Sequence, residues 1–186
     1  EAVFTVEEEV GMDGAHALDP AGLHSRKLLN LDSEEEGVFT VCCAGGMRLD
    51  CLLPGTAQPL KGETGFHLTI SGLHGGHSGC DINLGRASAN QQMGRVLYSD
   101  MERFPGLRLA DIRGGKFDNV ICPRSEALAA LPAGSGEEFQ AFVREFDAIL
   151  KNEYAGCDDG IALTCERADL TAALDAQTTS RMLHVL

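Results

Sequence analysis

The clearest alternation in the chain is GFHLTIS (Gly65–Ser71), where Phe66, Leu68 and Ile70 are apolar and His67, Thr69 and Ser71 are polar. A repeat of two belongs to a strand buried on one face. The Gly-rich stretch SGLHGGHSGCD (Ser71–Asp81) follows as a loop. Spacing then predicts a helix over about 84–104, with Ala89, Met93, Val96, Leu97 and Met101 on one stripe and Pro105-Gly106 as its stop. LRLADIR and NVICPRSEALAAL read as two strands of a hairpin joined by the turn GGKFDN (Gly114–Asn119). Ser135 and Glu138 have capping-box spacing ahead of a second helix, whose apolar face is Phe139, Phe142, Val143, Phe146, Ile149 and Leu150. Gly156 ends it, and GIALTCE supplies a last strand with Ile161, Leu163 and Cys165 inward. The order over 63–168 is thus β-α-β-β-α-β, an α+β arrangement of the ferredoxin-like type with two helices on one face of a four-stranded antiparallel sheet. A further helix begins near Leu174.

The first 46 residues differ in character. AVFTV (Ala2–Val6) is a short strand pattern running into Glu7, Glu8 and Glu9, and Pro20–Asn30 could form a short helix. LLNLDSEEEG leads into a second acidic loop, and GVFTVCCAGG (Gly37–Gly46) is a second strand pattern. Two hydrophobic stretches therefore deliver carboxylates into loops, the place where open α/β sheets bind ligands. The expected division is a segment of an α/β domain over 1–46 and a second domain over 47–186.

Composition narrows the partners. The 186 residues carry Lys+Arg 15 against Asp+Glu 28, a net charge of −13 that repels phosphate backbones and anionic membrane surfaces. No apolar run approaches the roughly 20 residues of a spanning helix. The seven cysteines contain no CxxC pair, and the expectation is small buried apolar groups in a reducing cytosol. There is no secretory leader pattern, Glu1 opens the chain, and RMLHVL ends it in mid-pattern, so the sequence reads as a cytoplasmic protein's internal piece.

Candidate chemistry starts at Glu8 and Glu9. Metal-assisted amide hydrolysis needs one carboxylate to hold a cation and another to take a proton from the attacking water. An adjacent pair in an irregular loop can fill both roles, though an isolated Glu-Glu pair is far more often a solvated acidic turn. Asp32, after Leu29-Asn30-Leu31, suits an oxygen ligand for a divalent ion, or a cap. His77, between glycines, could donate to a developing oxyanion or simply bond local backbone. Asn119 at the hairpin turn is either a turn former or a substrate contact. His67 reads as a strand-face residue and His74 as a loop residue.

VEEEVGMDGA (Val6–Ala15), LLNLDSEEEG (Leu28–Gly37), CAGG (Cys43–Gly46), LHGGHSG (Leu73–Gly79) and GGKFDNVICPRSEA (Gly114–Ala127) occur in this order. Jointly they resemble the bacterial aminoacyl-histidine dipeptidases (Xaa-His dipeptidases, peptidase D, cytosolic non-specific dipeptidases), zinc enzymes related to carnosinase and aminoacylase. The resemblance implies a di-zinc α/β catalytic domain interrupted by a lid domain that mediates homodimerisation. It implies Glu8 as general base, Glu9 and Asp32 as ligands of different zinc ions, and Asn119 as a substrate contact. His77 would be the lid histidine that reaches across the dimer to bind substrate and stabilise the oxyanion. The implied reaction is hydrolysis of dipeptides, preferentially Xaa-His.

The His-x-Asp segment, bridging Asp and distal His of such enzymes have no counterparts here. The resemblance therefore implies a fragment with an incomplete zinc site and negligible activity alone. A non-catalytic ferredoxin-like dimerisation module, or a related metallohydrolase acting on N-acyl amino acids, are the alternatives.

Overall fold

The computed structural model describes residues 2–32, 35–42, 47 and 49–186. The chain divides into the units Glu1–Cys51 and Leu52–Leu186. The CAGG stretch at 43–46, with Ser33 and Glu34 of the second acidic loop, lies outside the described residues.

The first unit holds a 3-10 turn at Glu8–Val10, the single helical turn α1 (Asp13–His16) and a 3-10 turn at Pro20–Gly22, which Asp19 caps by accepting the Ala21 N–H at 2.9 Å. The strands expected at 2–6 and 37–46 are not formed among the described residues, and the helix expected over 20–30 shrinks to its first turn. The cause is physical: a strand persists only when a neighbour takes its backbone hydrogen bonds and a layer covers its apolar face. Phe4 and Phe39 are instead 94% and 92% exposed.

The second unit contains β1 (Ala57–Pro59), β2 (Thr64–Ser71), β3 (Gly76–His77), α2 (Ala89–Arg103), β4 (Arg108–Gly114), β5 (Val120–Ile121), β6 (Ser125–Leu131), α3 (Gly136–Glu153), β7 (Ala162–Ala168), β8 (Ala172–Leu174) and α4 (Ala176–Leu183). Its main sheet has the order β4-β6-β2-β7 and is antiparallel throughout. Strand β2 is central, with Phe66 opposite Ala129 on one side and Arg167 on the other. Phe66, Leu68 and Ile70 all point into a core shared with Met93, Val96 and Leu97 of α2 and Phe139, Val143, Phe146 and Leu150 of α3. Both helices therefore lie against the same face of the sheet, in the strand-helix-strand-strand-helix-strand order read from the sequence. A small ribbon pairs β1 with β8, and a second pairs β3 with β5.

Four expectations are corrected. Helix α2 begins at Ala89, after a 3-10 turn at Ile82–Leu84. Ser135 precedes α3 but its side chain makes no cap hydrogen bond; its carbonyl accepts the Phe139 N–H at 2.9 Å. Ile149 is 45% exposed because, at about 100° per residue, it falls farthest from the Phe139–Leu150 stripe. The strand expected to run unbroken from 119 to 131 is also interrupted. Pro123 has no N–H to give to a ladder, and the Cys122 carbonyl turns away to accept the Ala89 N–H at 2.7 Å. Val120 and Ile121 are thereby freed to pair with β3 instead of β4.

Candidate functional site

That diversion brings two candidate residues together. In the β3–β5 ribbon His77 stands opposite Val120, and the Ser78 N–H donates to the Asn119 carbonyl at 2.8 Å. His77 and Asn119 thus sit at the same edge of one short ribbon, though far apart along the chain.

The His77 ring is exposed but fixed. Its Nδ1 accepts the N–H groups of Gly79 at 3.0 Å and Cys80 at 3.2 Å. With that lone pair engaged, the neutral ring carries its proton on Nε2. The His77 N–H donates to Asp81 Oδ2 at 2.8 Å, and Asp81 lies 3.5 Å from Arg86 Nη1, which donates to the Gly75 carbonyl at 2.7 Å. Gly76 has φ 139°, and a Cβ there would come within 2.5 Å of Arg86 Nη1 and 2.6 Å of Asp81 Oδ2. The glycine is what lets this brace close. A neutral imidazole held with Nε2–H as its outer donor is suited to a developing negative oxygen.

A histidine read as an ordinary loop residue proves to be anchored. His74 Nδ1 lies 2.9 Å from Oδ1 of the buried Asp158. Burial pushes the Asp158 carboxyl up, but hydrogen bonds from the His74 N–H, the Ala87 N–H and the His74 ring outweigh it and hold the group below the usual carboxylate range. No sequence spacing connects residues so far apart.

In the first unit Glu8 and Glu9 are exposed and share one 3-10 turn. Glu7 at φ 62° and Met12 at φ 59° bracket it, non-glycine residues in the left-handed region that costs about 1 kcal/mol or more each. Asp32 is exposed and lines an open depression of about 460 Å³ with Asn30, Val38, Phe39, Thr40, Val41 and Cys42. Among the described residues no three His, Cys, Asp or Glu side chains gather to hold a metal ion. These carboxylates alone therefore do not fit zinc, which takes about four ligands including nitrogen or sulfur. The cysteine expectation is also corrected: Cys42, Cys51, Cys80 and Cys157 are exposed, and only Cys122 is fully buried among those described, with Cys165 intermediate. No helix among the described residues is long and apolar enough to cross a membrane.

Comparison with known proteins places this geometry. The chain aligns at 38% identity over 189 positions with the cytosol non-specific dipeptidase of Escherichia coli (strain K12), covering 100% of this chain and 39% of that relative. The crystal structure of aminoacylhistidine dipeptidase from Vibrio alginolyticus superposes with a TM-score of 0.70 at 30% identity, over 97% of this chain and 37% of that one. The chain thus spans about two fifths of the length of each. Residues 61–157, which hold the His77–Asn119 ribbon, match the M20 peptidase dimerisation domain. With just over half of its length inside that match, the chain belongs to the M20 peptidase dimerisation-domain family.

Proposed function

We propose that the chain is part of a longer cytoplasmic, zinc-dependent dipeptidase that cleaves dipeptides with a preference for Xaa-His. Leu52–Leu186 serves as its lid and pairs with a second copy, while Glu1–Cys51 contributes to the catalytic domain. The observation that carries this reading is the Ser78–Asn119 hydrogen bond, which sets His77 and Asn119 side by side in a domain whose relatives are named as dipeptidases.

In this reading the Nε2–H of His77 donates to the oxygen of the scissile carbonyl as it gains charge. Asn119 contacts the substrate. Glu8, exposed on its 3-10 turn, takes the proton of the attacking water. Glu9 and Asp32 would each hold one oxygen toward a different zinc ion, which would acidify the attacking water and polarise the scissile carbonyl, with the other ligands supplied from outside this chain. The exposed Phe4, Phe39 and Val41 are the apolar positions that the rest of a catalytic sheet would cover.

The test is turnover of an Xaa-His dipeptide by the chain alone and by the longer parent protein, each supplied with zinc. Hydrolysis by the parent and negligible hydrolysis by the chain supports the reading. Comparable turnover by both, or a parent that cleaves only N-acyl amino acids, overturns it. Light scattering on the chain reports self-association, for which a monomer at all concentrations would be contrary.

A further inference from the structure

Asp158 is fully buried in the turn after α3, yet its carboxylate serves two points remote in sequence. Oδ1 accepts the backbone N–H of His74 at 2.7 Å and lies 2.9 Å from that residue's ring Nδ1. Oδ2 accepts the N–H of Ala87 at 2.7 Å. Its own backbone is tied on both sides: the Asp158 N–H donates to the Tyr154 carbonyl at 2.9 Å, and its carbonyl accepts the Ile161 N–H at 2.9 Å. Ile161 is itself part of the core. One carboxylate, rooted between α3 and β7, therefore grips both ends of the loop 74–87.

The hydrogen bonds of the His77 ring and N–H all lie inside that loop, while the β3–β5 ribbon holds its backbone from outside. Gly75, whose carbonyl accepts from Arg86, adjoins His74; Arg86 adjoins Ala87. Asp81, which takes the His77 N–H, leans on the same guanidinium. A second observation agrees. The backbones of Gly72 and Gly160 are in such close contact that a Cβ on Gly160 would lie 2.6 Å from the Gly72 oxygen. The chain entering the loop is thus laid directly on the turn that carries Asp158. Loops whose ends are drawn together in this way hold their interior by local packing.

We propose that Asp158 is a positioning residue for His77: by closing the loop 74–87 at both ends, it fixes where the imidazole stands and which of its nitrogens carries the proton. The catalytic consequence rests on His77 being the oxyanion donor of the parent enzyme; the positioning itself rests on contacts within this chain.

The experiment is Asp158→Asn in the chain, followed by nitrogen-15 NMR of the His77 ring and amide hydrogen exchange. An amide side chain has one acceptor oxygen where the carboxylate has two, so one of the two grips must fail. Exchange at His74 or Ala87 should quicken about tenfold or more, the factor for about 1.4 kcal/mol of lost hydrogen bonding. The His77 ring nitrogens should move from a distinct Nδ1-acceptor and Nε2–H pair toward averaged tautomers, while β2 amides keep their protection. In the parent enzyme the same substitution should lower kcat about 10- to 100-fold with little change in KM, as for a misplaced catalytic group.

His74→Phe, at a largely exposed ring, is the second variant and should shift His77 in the same direction by less. Released His74 and Ala87 amides with an unchanged His77 spectrum overturn the proposal. So does an unchanged spectrum in His74→Phe, should Asp158→Asn fail to fold. If His77→Ala leaves the parent's kcat intact while Asp158→Asn still shifts the ring, the catalytic reading of His77 falls and the positioning stands.

Discussion

Ser78 donates its backbone N–H to the carbonyl of Asn119 at 2.8 Å, joining the Gly-rich loop to the connection between β4 and β6. On the proposed function, with His77 as oxyanion donor, His77→Ala in the longer protein should lower kcat about 10²- to 10³-fold, the range for loss of one such donor. Asn119→Ala should act mainly on KM. Because the two share a ribbon, the double substitution should cost less than the sum of the single effects. Steady-state kinetics on the four proteins checks this, and full additivity would argue that the shared ribbon has no functional weight.

Gly72→Ala tests the approach of the loop to its base. Gly72 has φ 79°, and a Cβ there would overlap the Gly160 carbonyl. Strain of about 1–3 kcal/mol at the backbone adds to a clash that rigid backbone cannot relieve. Urea unfolding should show a loss of about 2 kcal/mol or more, against about 1 kcal/mol for Gly134→Asn, where φ is 90° and the backbone strain remains but nothing lies within 4 Å.

The second unit was legible because its information is local. Phe66, Leu68 and Ile70 declare a strand by alternation, and Met93, Val96 and Leu97 declare a helix by their spacing, whatever surrounds them. His77 and Asn119 were legible one by one, but their juxtaposition was not, since it depends on Pro123 breaking a strand and sending Val120 to a different partner. Asp158 was invisible for the same reason: its partners His74 and Ala87 are brought to it by packing. In the first unit the strand patterns around Phe4 and Phe39 are real in sequence and unformed in structure, because a strand's stability belongs to its neighbours.

Amide exchange should reproduce that contrast. No described side chain of the first unit is buried, whereas β2 is paired on both edges. Amides of residues 2–32 should exchange near the rate of an open chain, and those of Phe66–Ile70 only through global unfolding. Strong protection at residues 2–6 would show that those residues pair after all.

The two ends of the α3 stripe give a paired test of the core. Phe139 is fully buried and its ring lies 5.0 Å from that of Phe66, whereas Ile149 is half exposed. Phe139→Ala should destabilise the second unit by about 3–5 kcal/mol, the usual cost of a large cavity. Ile149→Ala should cost less than about 1 kcal/mol. Equal losses in thermal unfolding would mean that the helix faces the sheet differently.

Asp100 makes stability depend on pH in a stated direction. It is fully buried in α2, and neither carboxylate oxygen has a hydrogen-bond partner among the described residues. Burial pushes its carboxyl from 3.8 to about 8, against the weaker pull of the Arg103 charge. The folded state therefore keeps a proton that the unfolded chain releases. Wherever the folded state binds more protons, stability falls as pH rises, by about 1.4 kcal/mol per pH unit for one proton. The contribution is fully present below pH 3.8 and is lost progressively as the pH rises to about 8. Asp158 acts in the opposite sense at acid pH: its lowered carboxyl contributes stability above the ordinary carboxylate range, lost as pH falls. Asp100→Asn removes the titration while keeping the size of the side chain. Unfolding curves of the variant and the parent sequence should coincide near pH 4 and separate steadily toward pH 8, with the variant the more stable. Parallel curves over that interval would mean that Asp100 is charged in the folded protein and has found a partner.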